Sequence, residues 1–382
     1  MPHIAVYAED LGGLTSSTPS REMLRHLLHF RSQDLFTLVF CKDSEANEHL
    51  QDYLTTLSHL PNWQTYELPF SRRAYNALSL LGARFLPAIP VEADLYLRFD
   101  AGAMGRRNRP LINLVADLSA LRQPRAASLK WHGRLLFRRA LRDGAEIASR
   151  TVCISAFTAS DVAEAFPQLA SRLTVIRNGI ADDWFEEVTT MKENSPPRPY
   201  FIWYGFVSAR KNLPRLIAGY AAAADAFGPE FPHLALIAHG PDMRKEVLEP
   251  IEAYGVAQRV HVVAPQPLER LISFVSKARG LVFPSLYEGF GMPVVEAFAR
   301  GLPVLTSRFS ATAEIGSDLA EYCDPQSVSS IRDGLIRLAS PKQLEPERVA
   351  ARKAYARQFT AGSAARAYST LIDEVLSRPS AA

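Results

Sequence analysis

Apolar residues along this chain gather into short strand-like runs separated by longer amphipathic stretches. In the first half the runs are Ile4 to Tyr7, Leu35 to Cys41, Asp94 to Phe99, Leu111 to Val115, Thr151 to Ile154 and Leu173 to Ile176. Runs that are continuously apolar fit strands buried on both faces. Their alternation with helical stretches such as Arg21 to Phe30 predicts a parallel sheet covered by helices. Residues 189–199, TTMKENSPPRP, are polar and proline-rich and read as a linker. The pattern then restarts with Tyr200 to Phe206, Leu234 to Ala238, Val260 to Ala264, Gly280 to Ser285 and Pro303 to Thr306. The expected fold class is α/β, with two Rossmann-like parallel-sheet domains facing a cleft. Their bounds are 1–188 and 200–362, and a last helical stretch occupies 363–382.

Composition leaves that picture in place. At 382 residues, 47% hydrophobic and 22% charged, the chain is long enough for two cores and has the balance of a soluble enzyme. Cys41, Cys153 and Cys323 stand singly in apolar runs, with no spacing suited to zinc, a disulfide framework or a redox pair. This predicts a reducing, cytoplasmic setting. With no run of 18 or more apolar residues, and a strand pattern beginning at His3, neither export nor a membrane span is expected.

Charge is uneven beneath a modest net +3. Residues 98–142 hold eleven Lys and Arg against Asp100 and Asp117. Lys130, Arg134, Arg138 and Arg142 recur every four residues, which on a helix makes one basic stripe, with Leu129, Leu136 and Ala140 expected opposite it. An anionic lipid surface, a pyrophosphate-linked acceptor or nucleic acid would each answer such a stripe, beside the plain reading of a solvated face. The lipid surface, the inner face of the plasma membrane, is the partner carried forward. Nucleic acid is not.

The chemistry concentrates between Leu281 and Pro325. A buried strand ends in Phe283-Pro284-Ser285, a turn runs from Tyr287 to Met292, and Pro293 to Arg300 is a helix closed by Gly301. Gly289 and Gly291 flank Phe290, so backbone can approach a ligand closely there. Amides at the following helix start suit a phosphate. Glu288 and Glu296, with seven residues between them, can accept hydrogen bonds from sugar and ribose hydroxyls. Upstream, Arg210 and Lys211 stand together after the Tyr200 strand, where a planar fork and a compact point charge can meet a diphosphate.

Pro284, Ser285, Glu288, Gly289, Phe290, Gly291, Pro293 and Glu296 together resemble the signature phrase of the family 4 glycosyltransferases, retaining enzymes of the GT-B fold that use sugar nucleotides. The resemblance extends over nearly the whole chain. It implies that Arg210 and Lys211 hold the donor diphosphate, that Glu288 holds the donor sugar and Glu296 the ribose, and that Gly205, Gly289, Phe290, Gly291, Met292 and Pro293 line the nucleotide. It also implies that Gly12 and Gly13 lie near the diphosphate, that Gln266 sits in the turn along the nucleobase, and that the last helix returns to the first domain. Arg210, Lys211 and Glu288 would carry catalysis, with no metal and no cofactor beyond the donor.

One departure stands out. The family's strand-end His-Asp-Leu reads Ala116-Asp117-Leu118 here, so the usual histidine contact near the sugar's 6-hydroxyl is missing. The expected activity is transfer of a hexose or deoxyhexose, mannose- or rhamnose-like, from a GDP- or UDP-sugar to a glycan or lipid-linked acceptor in cell-surface polysaccharide synthesis. A sugar-nucleotide epimerase of the same fold and an inactive binding module are the alternatives.

Overall fold

The computed structural model describes residues 1–11, 18–43, 47–81, 86–102, 109–123, 131–187, 196–197 and 199–377. Gly12, Gly13, Leu129, Lys130 and most of the expected linker lie outside these. By compactness the chain divides into one unit of Met1–Leu121, Leu129–Ala181 and Phe359–Ala382, and a second of Arg122–Ser128 and Asp182–Gln358.

In the first unit seven strands pair in parallel: β1 (His3–Tyr7), β2 (Leu35–Cys41), β3 (Trp63–Leu68), β4 (Leu95–Arg98), β5 (Leu111–Val115), β6 (Arg150–Cys153) and β7 (Leu173–Val175). Their order is β3-β2-β1-β4-β5-β6-β7. Ile4, Ala5 and Val6 are fully buried, as are Leu95, Tyr96 and Leu97, which is why these central strands read as unbroken apolar runs. The edge strand β3 is mostly exposed or half-buried, with only Leu68 fully buried, and carries Gln64 and Glu67, so its sequence gives little signal. The C-terminal helix, Ala361–Leu376, packs in this unit against the helix Thr18–Phe30. Arg31 reaches it through Asp373 at 2.7 Å, and Arg366 lies over the Phe30 ring at 5.0 Å.

The helix Trp131–Ile147 carries Arg134, Arg138 and Arg142 of the basic stripe. Leu136, placed opposite that stripe by the helical period, is 36% exposed, and its neighbour Leu135 is 57% exposed. The buried arc is centred instead on Leu141, Gly144 and Ala145. A Cβ at Gly144 would collide with the backbone of Ala101 and Gly102, so this close approach fixes which side of the helix turns inward.

The second unit holds six parallel strands: β8 (Tyr200–Phe206), β9 (His233–His239), β10 (Val260–Val263), β11 (Gly280–Phe283), β12 (Val304–Ser307) and β13 (Glu321–Cys323). They run in the order β10-β9-β8-β11-β12-β13. Phe201, Ile202, Trp203, Leu281, Val282 and Phe283 form its fully buried centre. In both units the chain order reverses beside the first strand, at β1/β4 and at β8/β11. Such switch points open crevices at the strands' carboxyl ends, where ligands of parallel sheets bind.

Among the described residues no helix is long and apolar enough to cross a membrane. All three cysteines are free and buried. Burial pushes the Cys41 thiol up to about 11 and those of Cys153 and Cys323 to about 12.

Candidate functional site

The site is built at the β8/β11 switch point of the second unit. Near its end β8 contains Gly205, whose φ of 144° suits glycine, and after the strand the chain makes one tight turn over Ala209–Lys211. Asn212 ends that turn in the left-handed region at φ 62°, a conformation asparagine tolerates better than most residues. Its buried amide donates to the carbonyls of Pro284 at 3.0 Å and Pro325 at 2.7 Å. One side chain therefore ties the loops after β8, β11 and β13 together. Leu286 N donates to Arg210 O at 2.8 Å, adding a second link between the first two. The sequence reading gave Asn212 no role, since a lone polar residue before Leu213-Pro214 reads as an ordinary helix start.

This latch brings Arg210 and Lys211 against Glu288. Arg210 Nη1 donates to Glu288 Oε2 and Lys211 Nζ to Oε1, each at 2.7 Å, and Arg210 also reaches the carbonyl of Tyr287 at 3.1 Å. Lys211 Nζ lies 4.7 Å from the centre of the Phe283 ring. Glu288 is buried, which by itself would raise its pKa. The charges of Arg210 and Lys211 outweigh that and hold it at about 2. Two cations and one carboxylate leave a net positive charge of one, in a cluster whose carboxylate is buried and whose cations are partly exposed.

Past Glu288, Gly289 and Phe290 are buried in the turn, and Gly291, at φ 103° and ψ 51°, caps the helix Met292–Ala299. A Cβ at Gly291 would press on Thr312 at 3.1 Å in a backbone conformation side chains rarely adopt. Met292 and Pro293 form the first turn and are half-buried. One turn on, Glu296 accepts a hydrogen bond at 2.7 Å from the hydroxyl of Tyr204 on β8. Burial raises Glu296 to about 7, against the pull of that hydrogen bond. The two glutamates that the motif presents as a pair thus sit in opposite electrostatic settings. One is a permanently charged carboxylate among cations, and the other is poised to change protonation near neutrality.

The remaining candidates fall elsewhere. Gln266 is half-exposed in the turn after β10, its amide donating to the Ala264 carbonyl at 2.8 Å. In the first unit Ala116 is exposed at the end of β5, and Asp117 accepts from the backbone amide and hydroxyl of Ser119 at 2.8 and 2.6 Å. Ser155 caps the helix Ala156–Ala165, accepting from Thr158 N at 3.0 Å. The Arg177 to Ile180 phrase meets the returning chain, with Ile180 bridged to Thr360 and Arg177 over the Phe359 ring.

The fold and site fit known proteins at this point. Residues 185–359 match the family described as Glycosyl transferases group 1. That stretch contains the whole Arg210, Lys211, Glu288 and Glu296 constellation. Among similar proteins, O-antigen chain mannosyltransferase B of Escherichia coli is 23% identical over 229 residues, 58% of this chain and 60% of that protein. D-inositol 3-phosphate glycosyltransferase of Corynebacterium urealyticum is 30% identical over 185 residues, 44% of each. The chain thus spans less than two thirds of these relatives' length. Solved structures align along almost all of it. HepE of Anabaena, in complex with UDP and glucose, gives a TM-score of 0.67 at 16% identity, covering 98% of this chain and 100% of that one. Sucrose-phosphate synthase from Thermosynechococcus elongatus gives 0.72 at 16%, covering 98% and 99%. The architecture is GT-B: two Rossmann-like parallel-sheet domains.

Proposed function

We propose that this chain is a metal-independent, retaining family 4 glycosyltransferase that moves a mannose- or rhamnose-like sugar from a GDP- or UDP-sugar to a hydroxyl of a glycan or lipid-linked acceptor, in cell-surface polysaccharide synthesis. The observation that carries this reading is the Arg210–Glu288–Lys211 cluster set beside a glycine-capped helix start. In the reaction the bond from the sugar's anomeric carbon to the diphosphate breaks, and negative charge grows on the departing oxygen. Arg210, Lys211 and the amides after Gly291 face that charge and lower its energy. The acceptor oxygen bonds to the same face of the carbon, and its proton goes to the departing phosphate. Glu288 holds donor hydroxyls and Glu296 the ribose.

A thermal-shift panel of nucleoside diphosphates and sugar nucleotides, followed by transfer assays, tests the reading. A ligand at about 100 times its Kd adds about 2.7 kcal/mol of stability. Donor consumed without acceptor favours hydrolysis or epimerisation instead, and binding without turnover favours an inactive module.

Ala116 bears on the donor. A methyl group cannot bond a 6-hydroxyl, and a buried hydroxyl left unpaired costs about 1 to 3 kcal/mol. The preferred donor therefore either lacks a polar 6-substituent or satisfies its 6-hydroxyl through water or another residue. On the first branch, matched donors of one base, such as mannose against rhamnose, differ by about tenfold or more in kcat/KM in favour of the deoxy sugar. The opposite preference in every pair would defeat this.

The helix Trp131–Ile147 bears on the acceptor. Leu135 and Leu136 stand exposed beside Arg138, Arg139 and Arg142, the pairing of apolar and cationic side chains that suits an anionic membrane surface. Asp143 and Glu146 answer part of that charge, lying 3.0 and 3.9 Å from Arg142. Each basic residue near such a surface contributes about 1 kcal/mol, so neutralising Lys130, Arg134 and Arg138 together should weaken vesicle binding about a hundredfold. Equal co-sedimentation with neutral and anionic vesicles would return the stripe to a solvated face.

A further inference from the structure

The Glu296 carboxylate is held by a residue that no motif marks. Tyr204 lies in β8, only 6% exposed, with its ring stacked on Trp184 at 6.5 Å between centroids. Its hydroxyl is 2.7 Å from Glu296 Oε2 and 3.3 Å from the Pro293 carbonyl, so it spans the first turn of the helix that follows Gly291. We propose that Tyr204 is a positioning residue for the nucleotide: it clamps one oxygen of Glu296 so that the carboxylate presents its remaining lone pairs to the vicinal ribose hydroxyls of a nucleoside diphosphate. The proposal rests on the reading of Glu296 as the ribose holder.

The geometry leaves little else to orient this carboxylate. Arg300, one turn along the same helix, is turned away to the carbonyls of Trp184 and Glu186 and to Ser276. Arg210 and Lys211 are engaged with Glu288. The elements packed against the helix carry Asp182 and Asp183, Glu314, and the Glu347, Arg348, Arg352, Lys353 and Tyr355 of one further helix. Burial sets the proton affinity of Glu296 and the Tyr204 hydroxyl opposes it. Burial and the adjacent Glu296 carboxylate in turn keep the Tyr204 hydroxyl protonated, so it always donates.

Two consequences separate positioning from mere support of the fold. A carboxylate accepts from both ribose hydroxyls whereas a carboxylic acid does not, so nucleotide affinity should fall as pH drops through about 7. Removing the Tyr204 hydroxyl removes the influence that lowers that midpoint, so the midpoint should move up. Inorganic pyrophosphate, which has no ribose, should be indifferent to the Tyr204 hydroxyl; its phosphates ionise at about pH 6 to 7 as those of the nucleotides do, so the midpoint is read from the nucleotide affinity relative to pyrophosphate at each pH.

The test is calorimetric titration of UDP, GDP and pyrophosphate from about pH 5.5 to 8.5 against wild type, Tyr204→Phe, Glu296→Gln and the double variant. Phenylalanine keeps the ring stacked on Trp184. We expect Tyr204→Phe to weaken the better nucleotide about two- to tenfold at pH 8 and to raise the midpoint, with pyrophosphate unchanged. Glu296→Gln should abolish the pH dependence that pyrophosphate does not share, and adding Tyr204→Phe to it should change nothing further. Nucleotide affinity and midpoint unaltered in Tyr204→Phe, with Glu296→Gln still weakened, would overturn the role of Tyr204 alone. Full nucleotide affinity in Glu296→Gln, or pyrophosphate binding with neither nucleotide bound, would overturn the ribose reading and this proposal with it.

Discussion

Replacing either Arg210 or Lys211 by alanine should slow sugar transfer by roughly ten- to a hundredfold, because a charge-assisted hydrogen bond to the leaving diphosphate contributes about 1.5 to 3 kcal/mol net. Each truncation also leaves its mark on Glu288. With one cation gone, the buried carboxylate loses half of its compensation, and its pKa climbs from about 2. A carboxylate whose folded pKa lies below its unfolded value contributes stability that is full above the unfolded value, near 4.5, and is lost as pH falls toward the folded one. Raising the folded pKa shrinks that contribution, so both variants should unfold at lower temperature than wild type at neutral pH and lose less on acidification to about pH 3. Steady-state rates on variants shown to be folded, with melting curves at the two pH values, decide the matter. Unchanged turnover in both variants would remove the clamp from the mechanism.

Glu288→Gln should act in the opposite sense on binding and in the same sense on rate. Without the carboxylate the cluster rises from a net charge of one to two, and both cations are freed to meet a diphosphate. The nucleoside diphosphate alone should therefore bind as well as or better than to wild type, while the sugar nucleotide loses its hydroxyl contacts and turnover drops by tenfold or more. Glu296→Gln should weaken the nucleoside diphosphate itself. Titrating both ligands into both variants separates the roles. A Glu288 variant that loses the two ligands equally would refute the assignment of that carboxylate to the sugar.

What could be read from the sequence follows burial. Strands β1 and β8 lie at the middle of their sheets, so Ile4 to Tyr7 and Phe201 to Trp203 are apolar without interruption and announce themselves. Strands β3 and β13 lie at the edges, where Gln64, Glu67 and Glu321 are affordable, and they leave no comparable signal. The helix start after Gly291 was legible because proline and glycine report backbone conformation directly. The exposure of Leu136 was not legible, because a four-residue spacing of arginines fixes where the charges fall but not which arc the neighbouring sheet buries. That was decided by the close approach at Gly144. The motif named Arg210, Lys211 and Glu288 but could not show that they meet, since the contact joins two loops 77 and 78 residues apart in sequence. Tyr204 was hidden for the same reason that its strand was obvious: in an unbroken apolar run, a tyrosine looks like core.

The buried thiols give the protein a chemical silence that can be used. Cys41, Cys153 and Cys323 are shielded, and with affinities for protons near 11 to 12 they offer almost no thiolate at neutral pH. A single cysteine introduced on the open face of the basic helix, as in Leu135→Cys, would then be the one position an alkylating dye finds. Its emission would report directly whether that face leaves water when vesicles are added.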